Sequence, residues 1–162
     1  MPMPLSQLQA ALDALDAALP GDLQAPLYLI GSAAARLAGA PVDVNDLDLL
    51  TAVDDAARLE RAWSARRVAG YAPADDERFR SRFARYAFPL MAVEVMGGLE
   101  VRAGGAWREL RVERSAPLAG HAACLRLPSL EEQLRILALF DREKDRVRAG
   151  LLAGLRGEER AP

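Results

Sequence analysis

Apolar residues recur at steps of three and four through Leu5, Leu8, Leu12, Leu15 and Leu19, the spacing of an amphipathic helix over about Leu5 to Leu19. Pro20-Gly21 stops it. A continuous apolar run, Leu27 to Ile30, predicts a short buried strand. Ser32 stands where it can cap a following helix carrying Ala33 to Leu37, closed by Gly39 and Pro41. Val44 to Thr51 reads as the next strand. Asp54 and Asp55 fall where an N-cap and a first-turn acid belong, in a helix that reaches about Val68 with Leu59 and Trp63 one turn apart. Gly70 to Ala74 ends it.

The β-prone residues of Arg78 to Phe88 favour a strand, broken by Pro89 before a stronger one over Leu90 to Met96. Gly97-Gly98 reads as a turn. Leu99 to Arg102 and Trp107 to Val112 flank Gly104-Gly105, a hairpin signal. After a loop through Ser115 and Gly120, Cys124 to Leu127 is expected to add a last edge strand. Ser129 followed by Glu132 matches a capping box for a helix to about Phe140. A second helix is expected from near Glu143 to Leu155, with a fraying tail after Gly157. The pattern is that of a mixed α+β protein. It divides into an N-terminal helix over 1–22, a core over 23–127 and C-terminal helices over 128–162, all within one domain.

Two stretches of this frame carry chemistry. Asp46 and Asp48 alternate with Leu47 and Leu49, and because side chains alternate along a strand, both carboxylates leave one face while the leucines enter the core. At Gly31-Ser32 a strand turns into a helix, leaving unpaired backbone N–H groups that attract anions. A phosphate cradle beside paired carboxylates points to a magnesium nucleotide site.

Composition narrows the chemistry further. With 162 residues, 51% of them hydrophobic and 27% charged, the chain is expected to be a globular, cytoplasmic protein with one sizeable core. No apolar run approaches the ~20 residues that span a bilayer. Cys124 and His121 are the only residues of their kinds, which excludes disulfide frameworks and Cys/His zinc sites and leaves both to structure. Hard oxygen ligands remain. A net charge of -2 gives no global attraction to nucleic acid. All but one of the 21 cationic side chains are arginine, so a single arginine says little.

Ile30-Gly31-Ser32, then a gap of about a dozen residues, then Asp46-Leu47-Asp48, resembles the signature of the nucleotidyltransferase superfamily related to DNA polymerase beta. That resemblance implies a nucleotidyltransferase-like mixed β-sheet with flanking helices and a C-terminal helical region. It also implies a third carboxylate on a later strand, and Glu94, a lone acid between Val93 and Val95, is the candidate. Asp46, Asp48 and Glu94 would then hold one or two magnesium ions that bridge nucleotide phosphates. Most relatives carry Asp where Glu94 stands, so a role as the base that deprotonates an acceptor stays open. Pro128-Ser129-Leu130-Glu131 and Arg142-Glu143-Lys144-Asp145 look like the end of small bacterial nucleotidyltransferases of the antibiotic-modifying and abortive-infection toxin types.

Gly31 and Ser32 are expected at the phosphates. Arg36 is expected at a phosphate or in a salt bridge, Lys144 at a phosphate or in an ion pair, and at least one of Arg80, Arg82 and Arg85 at triphosphate or acceptor. Asp43 reads as a loop or cap residue. The resemblance implies transfer of a nucleoside monophosphate from an NTP, by default ATP, to an unidentified acceptor with release of pyrophosphate. The alternative is a non-catalytic nucleotide-binding or antitoxin-like module with a toxin or antitoxin partner. The oligomeric state is open.

Overall fold

The computed structural model describes residues 2–71 and 77–159. Its strands are β1 (Leu27–Ile30), β2 (Asp46–Thr51), β3 (Phe79–Tyr86), β4 (Ala92–Ala103), β5 (Ala106–Glu109), β6 (Ser115–Pro117) and β7 (Leu125–Pro128). Its helices are α1 (Leu5–Ala17), α2 (Gly31–Leu37), α3 (Val53–Ala62), α4 (Leu130–Phe140) and α5 (Glu143–Glu159). The strands form one mixed sheet in the order β3-β4-β2-β1-β7-β6, with β5 paired to β4 off that path. β1 is antiparallel to β2 and parallel to β7, while β2 runs parallel to β4.

Alternation along these strands divides the apolar residues between two faces. Leu27, Leu29, Leu47, Leu49, Val93 and Val95 meet Leu8, Leu12 and Leu15 of α1 and Ala56 and Leu59 of α3 in the main core. Trp63 joins them, donating its indole N–H to the Ala18 carbonyl at 2.8 Å. Ile30, Leu50, Leu99 and Val101 join Ile136 and Phe140 of α4 in a second core. Asp46 and Asp48 share the face of Leu50, so the acids look toward α4 and α5 and away from α1.

Several boundaries differ from the sequence reading for identifiable reasons. Gly97-Gly98 is a bulge inside β4 and not a turn. Arg80 pairs with Glu100 and Arg82 with Gly97, which leaves one extra residue on β4, and Gly98 takes a φ of +61° there. The inserted residue reverses the alternation, so Leu99 and Val101 enter the second core although Val93 and Val95 face the first. Gly97 also lets α3 approach, because a Cβ there would lie 2.5 Å from the Ala56 Cβ.

Ser32 does not cap α2. The N-cap is Ile30, and Ser32 is buried within the first turn. β7 is not an edge strand, since β6 pairs along its outer side; the three residues of β6 end in proline and carry no strand pattern. Of the capping box only half forms: Ser129 Oγ accepts from the Glu132 amide at 3.2 Å, while the Glu132 carboxylate accepts from the Arg114 amide and pairs with Arg135.

Asp55 lies in the first turn of α3 as expected, but its carboxylate does other work. It accepts the Gln24 and Ala25 amides at 3.1 and 2.6 Å, binding the segment that leads into β1. α3 itself stops at Ala62, with a 3-10 turn over Ser64–Arg66 before Val68. The Gly104-Gly105 hairpin forms, both glycines having positive φ as a type I′ turn requires. α1 ends two residues early and α5 runs four residues beyond Leu155. Residues 72–76, which overlap the expected helix-ending stretch Gly70 to Ala74, and 160–162 of the expected fraying tail lie outside the described residues.

Candidate active site

Parallel pairing of β2 with β4 sets Asp48 opposite Glu94, and Asp46 lies two residues back on the same face. The three side chains offer oxygens that all lie within 4.8 Å of one another. Two adjacent strands thus deliver a cluster that a single strand could not. β1 lies along the other side of β2, with Ile30 opposite Asp48, so the chain turns into α2 directly beside the acids. At that turn Gly31 has a φ of +72°, and a Cβ on it would sit 2.4 Å from Asp48 Oδ2. Only a residue without a side chain lets the turn close against the carboxylate.

Gathering three acids has an electrostatic consequence. Burial first, and then the charges of Asp46 and Glu94, hold the Asp48 carboxyl well above the usual carboxylate range, against an opposing pull from Arg148. Glu94 also shares a hydrogen bond with Asp48. Arg85 of β3, opposite Glu94 in the register, closes the cluster from the side. Its Nη1 donates to Glu94 Oε1 and lies 3.4 Å from Asp46 Oδ2. The same guanidinium rests over the Tyr71 ring, 4.7 Å from its centroid.

The acids open into a cleft of about 670 Å³ between the sheet and α4 and α5. One part is apolar, with Ile30, Met96, Leu99, Phe79, Phe83, Ile136 and Phe140 along it. Tyr71 stacks on Phe83 at a centroid distance of 5.8 Å. The other part is polar, and α5 contributes Lys144 and Arg148 to it. Arg148 has no hydrogen-bond or ion-pair partner among the described residues, and burial lowers its pKa even though Asp145 and Asp48 pull the other way. Lys144 likewise forms no ion pair among the described residues. Asp145 is fully buried and accepts the Arg142 amide at 3.1 Å and its Nε at 2.6 Å, fixing the start of α5.

Of the residues singled out in the sequence, Gly31, Ser32, Asp46, Asp48, Glu94 and Lys144 line this cleft, as do Asp43 and Arg80. Arg36 and Arg82 do not. Arg36 turns to the N-terminal segment, its Nη2 lying 3.4 Å from the Met3 carbonyl. Arg82 projects from the opposite face of the sheet and pairs with Glu60 of α3 at 2.8 Å. Sequence reading left Arg148 and Tyr71 aside and did not separate Arg85 from its neighbours. The cross-strand partner of Arg85 depends on register, and in a chain this rich in arginine nothing local marks Arg148. For Tyr71, a lone aromatic beside a glycine, no signal was available.

The donor set is three carboxylates with no sulfur or imidazole, which fits a hard divalent cation. Among the described residues, no helix is long and apolar enough to cross a membrane.

No family model matches the sequence, and no curated protein does so significantly. Its architecture is similar to the crystal structure of a "putative nucleotidyltransferase" from Thermotoga maritima, with a TM-score of 0.71 over 98% of both chains at 22% identity. The mixed sheet, the N-terminal helix and the C-terminal helices correspond, and the chain therefore has the nucleotidyltransferase fold that its Gly31-Ser32 and Asp46-Leu47-Asp48 pattern resembles.

Proposed function

We propose that the protein is a magnesium-dependent nucleotidyltransferase that moves a nucleoside monophosphate from an NTP to an acceptor and releases pyrophosphate. The observation that carries this reading is the convergence of Asp46, Asp48 and Glu94 from two adjacent strands, beside the Gly31 turn, in a cleft that also holds Arg148, which has no hydrogen-bond or ion-pair partner among the described residues.

Asp46, Asp48 and Glu94 would hold the magnesium. When bound, the metal supplies positive charge against the phosphates as the P–O bond to pyrophosphate breaks. Gly31 lets the strand-to-helix turn close against Asp48, and Ser32 contributes its hydroxyl to the phosphates. Arg148 and Lys144 supply positive charge from α5. The apolar wall with Tyr71 and Phe83 gives a flat surface for a base or for the body of the acceptor. ATP is the default donor, and the acceptor is a hydroxyl-bearing compound, a protein side chain or an RNA end.

The test is incubation with α-phosphate-labelled NTPs and magnesium over a panel of such acceptors. Transfer of label with stoichiometric pyrophosphate, lost in Asp46→Asn, is the expected result. Metal-dependent binding without transfer or pyrophosphate across the panel would contradict it. That result would favour a second reading, a non-catalytic nucleotide-binding or antitoxin-like interaction module. The observation on its side is Arg85, which already pairs with two of the three acids without a metal.

A further inference from the structure

Arg85 places one guanidinium nitrogen on two of the three carboxylates that a cation would need. Nη1 contacts Glu94 Oε1 and lies 3.4 Å from Asp46 Oδ2. A divalent ion drawing on Asp46, Asp48 and Glu94 must therefore share two of its carboxylates with an arginine that already pairs with them. Guanidinium–carboxylate contacts are among the stronger side-chain hydrogen bonds, and Arg85 is three-quarters enclosed, so water screens this one only in part. Arg85 also has a contact that a metal would not take from it. Its guanidinium already lies 4.7 Å from the centre of the Tyr71 ring, and Tyr71 lines the cleft.

We propose that Arg85 is a positioning residue that couples metal entry to nucleotide binding. It holds the acids when the cleft is empty, so that a free divalent ion binds weakly and a divalent ion arriving with a triphosphate binds strongly. The inference rests on the metal site argued above and adds the form in which substrate is taken. A triphosphate brings several negative charges into the cleft, and these favour both the incoming metal and an arginine released from the carboxylates and still seated over Tyr71. A bare ion brings no such compensation. The coupling expected is about tenfold, within the range usual for linked sites. An arginine that merely orients the carboxylates predicts the opposite, since its removal would disorder the ligands and weaken metal binding.

The two are separated by titrating Mn²⁺ into the full chain, with and without saturating non-hydrolysable α,β-methylene-ATP, and reading bound metal by electron paramagnetic resonance. Wild type is expected to bind Mn²⁺ alone weakly and about tenfold more tightly with the nucleotide. Arg85→Ala is expected to bind Mn²⁺ alone about tenfold more tightly than wild type, with the effect of nucleotide smaller than in wild type by the same factor. Arg85→Gln, which keeps most of the packing without the charge, is expected to shift the same way and carries the test if the alanine variant does not fold. Metal binding by both variants that is no tighter than wild type overturns this inference alone. No Mn²⁺ uptake by wild type, with or without nucleotide, overturns the metal site and this inference together.

Discussion

Gly31 and Asp48 are fitted to each other: a Cβ at position 31 would stand 2.4 Å from Asp48 Oδ2. The atom it would strike is the end of a side chain, so Gly31→Ala can be relieved by turning the carboxylate away, and that relief removes Asp48 from the cluster. The positive φ adds a backbone cost of about 1–2 kcal/mol. Gly31→Ala is expected to lower the melting temperature by a few degrees and to abolish metal-dependent nucleotide binding. Binding at the wild-type level in a folded Gly31→Ala protein would show that this contact does not shape the site.

The raised pKa of Asp48 has a defined sign in stability. A carboxyl that holds its proton more tightly folded than unfolded makes the folded state take up more protons. Stability therefore falls as pH rises from the unfolded value, about 4, through the folded one. Asp48→Asn removes this dependence. In a chelator the variant is expected to melt higher than wild type at pH 8, with the difference shrinking as pH falls toward 4. A lower melting temperature for the variant at pH 8 would mean that the ionised acid is well supported without metal.

Arg148 and Arg82 make a contrasting pair. Arg148 faces the cleft without a hydrogen-bond or ion-pair partner among the described residues, whereas Arg82 lies on the far face with Glu60. Losing one charge-assisted contact to a phosphate is worth about 1.5–3 kcal/mol, so Arg148→Ala is expected to raise the KM for NTP, or its Kd, by tenfold or more. Arg82→Ala is expected to leave nucleotide affinity unchanged and to move the melting temperature little, because exposed ion pairs contribute little to stability. A titration of each variant checks both, and the reverse ranking would relocate the phosphate site.

What the sequence made legible was what short-range periodicity encodes. Leu27 to Ile30, the Asp46-Leu47-Asp48 alternation and the lone Glu94 all depend on residues two apart, and each falls on the strand expected. Gly97-Gly98 misled because a glycine pair is usually a turn, and its use as a bulge depends on the approach of α3 from elsewhere in the chain. The three residues of β6 form a strand only because β7 is beside them. In the site, the acids were readable because an acid in an apolar strand is costly without a partner. Arg85 was not, since only strand register sets it opposite Glu94. Arg36 and Arg82 showed no local sign that one is drawn to Met3 and the other to Glu60.

If Asp46, Asp48 and Glu94 hold a metal that in turn holds a nucleotide, the melting temperature with ATP must differ between magnesium and chelator, and must do so in wild type but not in the Asp46→Asn/Asp48→Asn double variant. Magnesium with ATP at about 100 times Kd is expected to stabilise wild type by about 2.7 kcal/mol, a shift of several degrees. ATP in chelator is expected to give little shift, and the double variant none under either condition. A shift of equal size in chelator, or one preserved in the double variant, would mean that nucleotide binds without a metal on these acids.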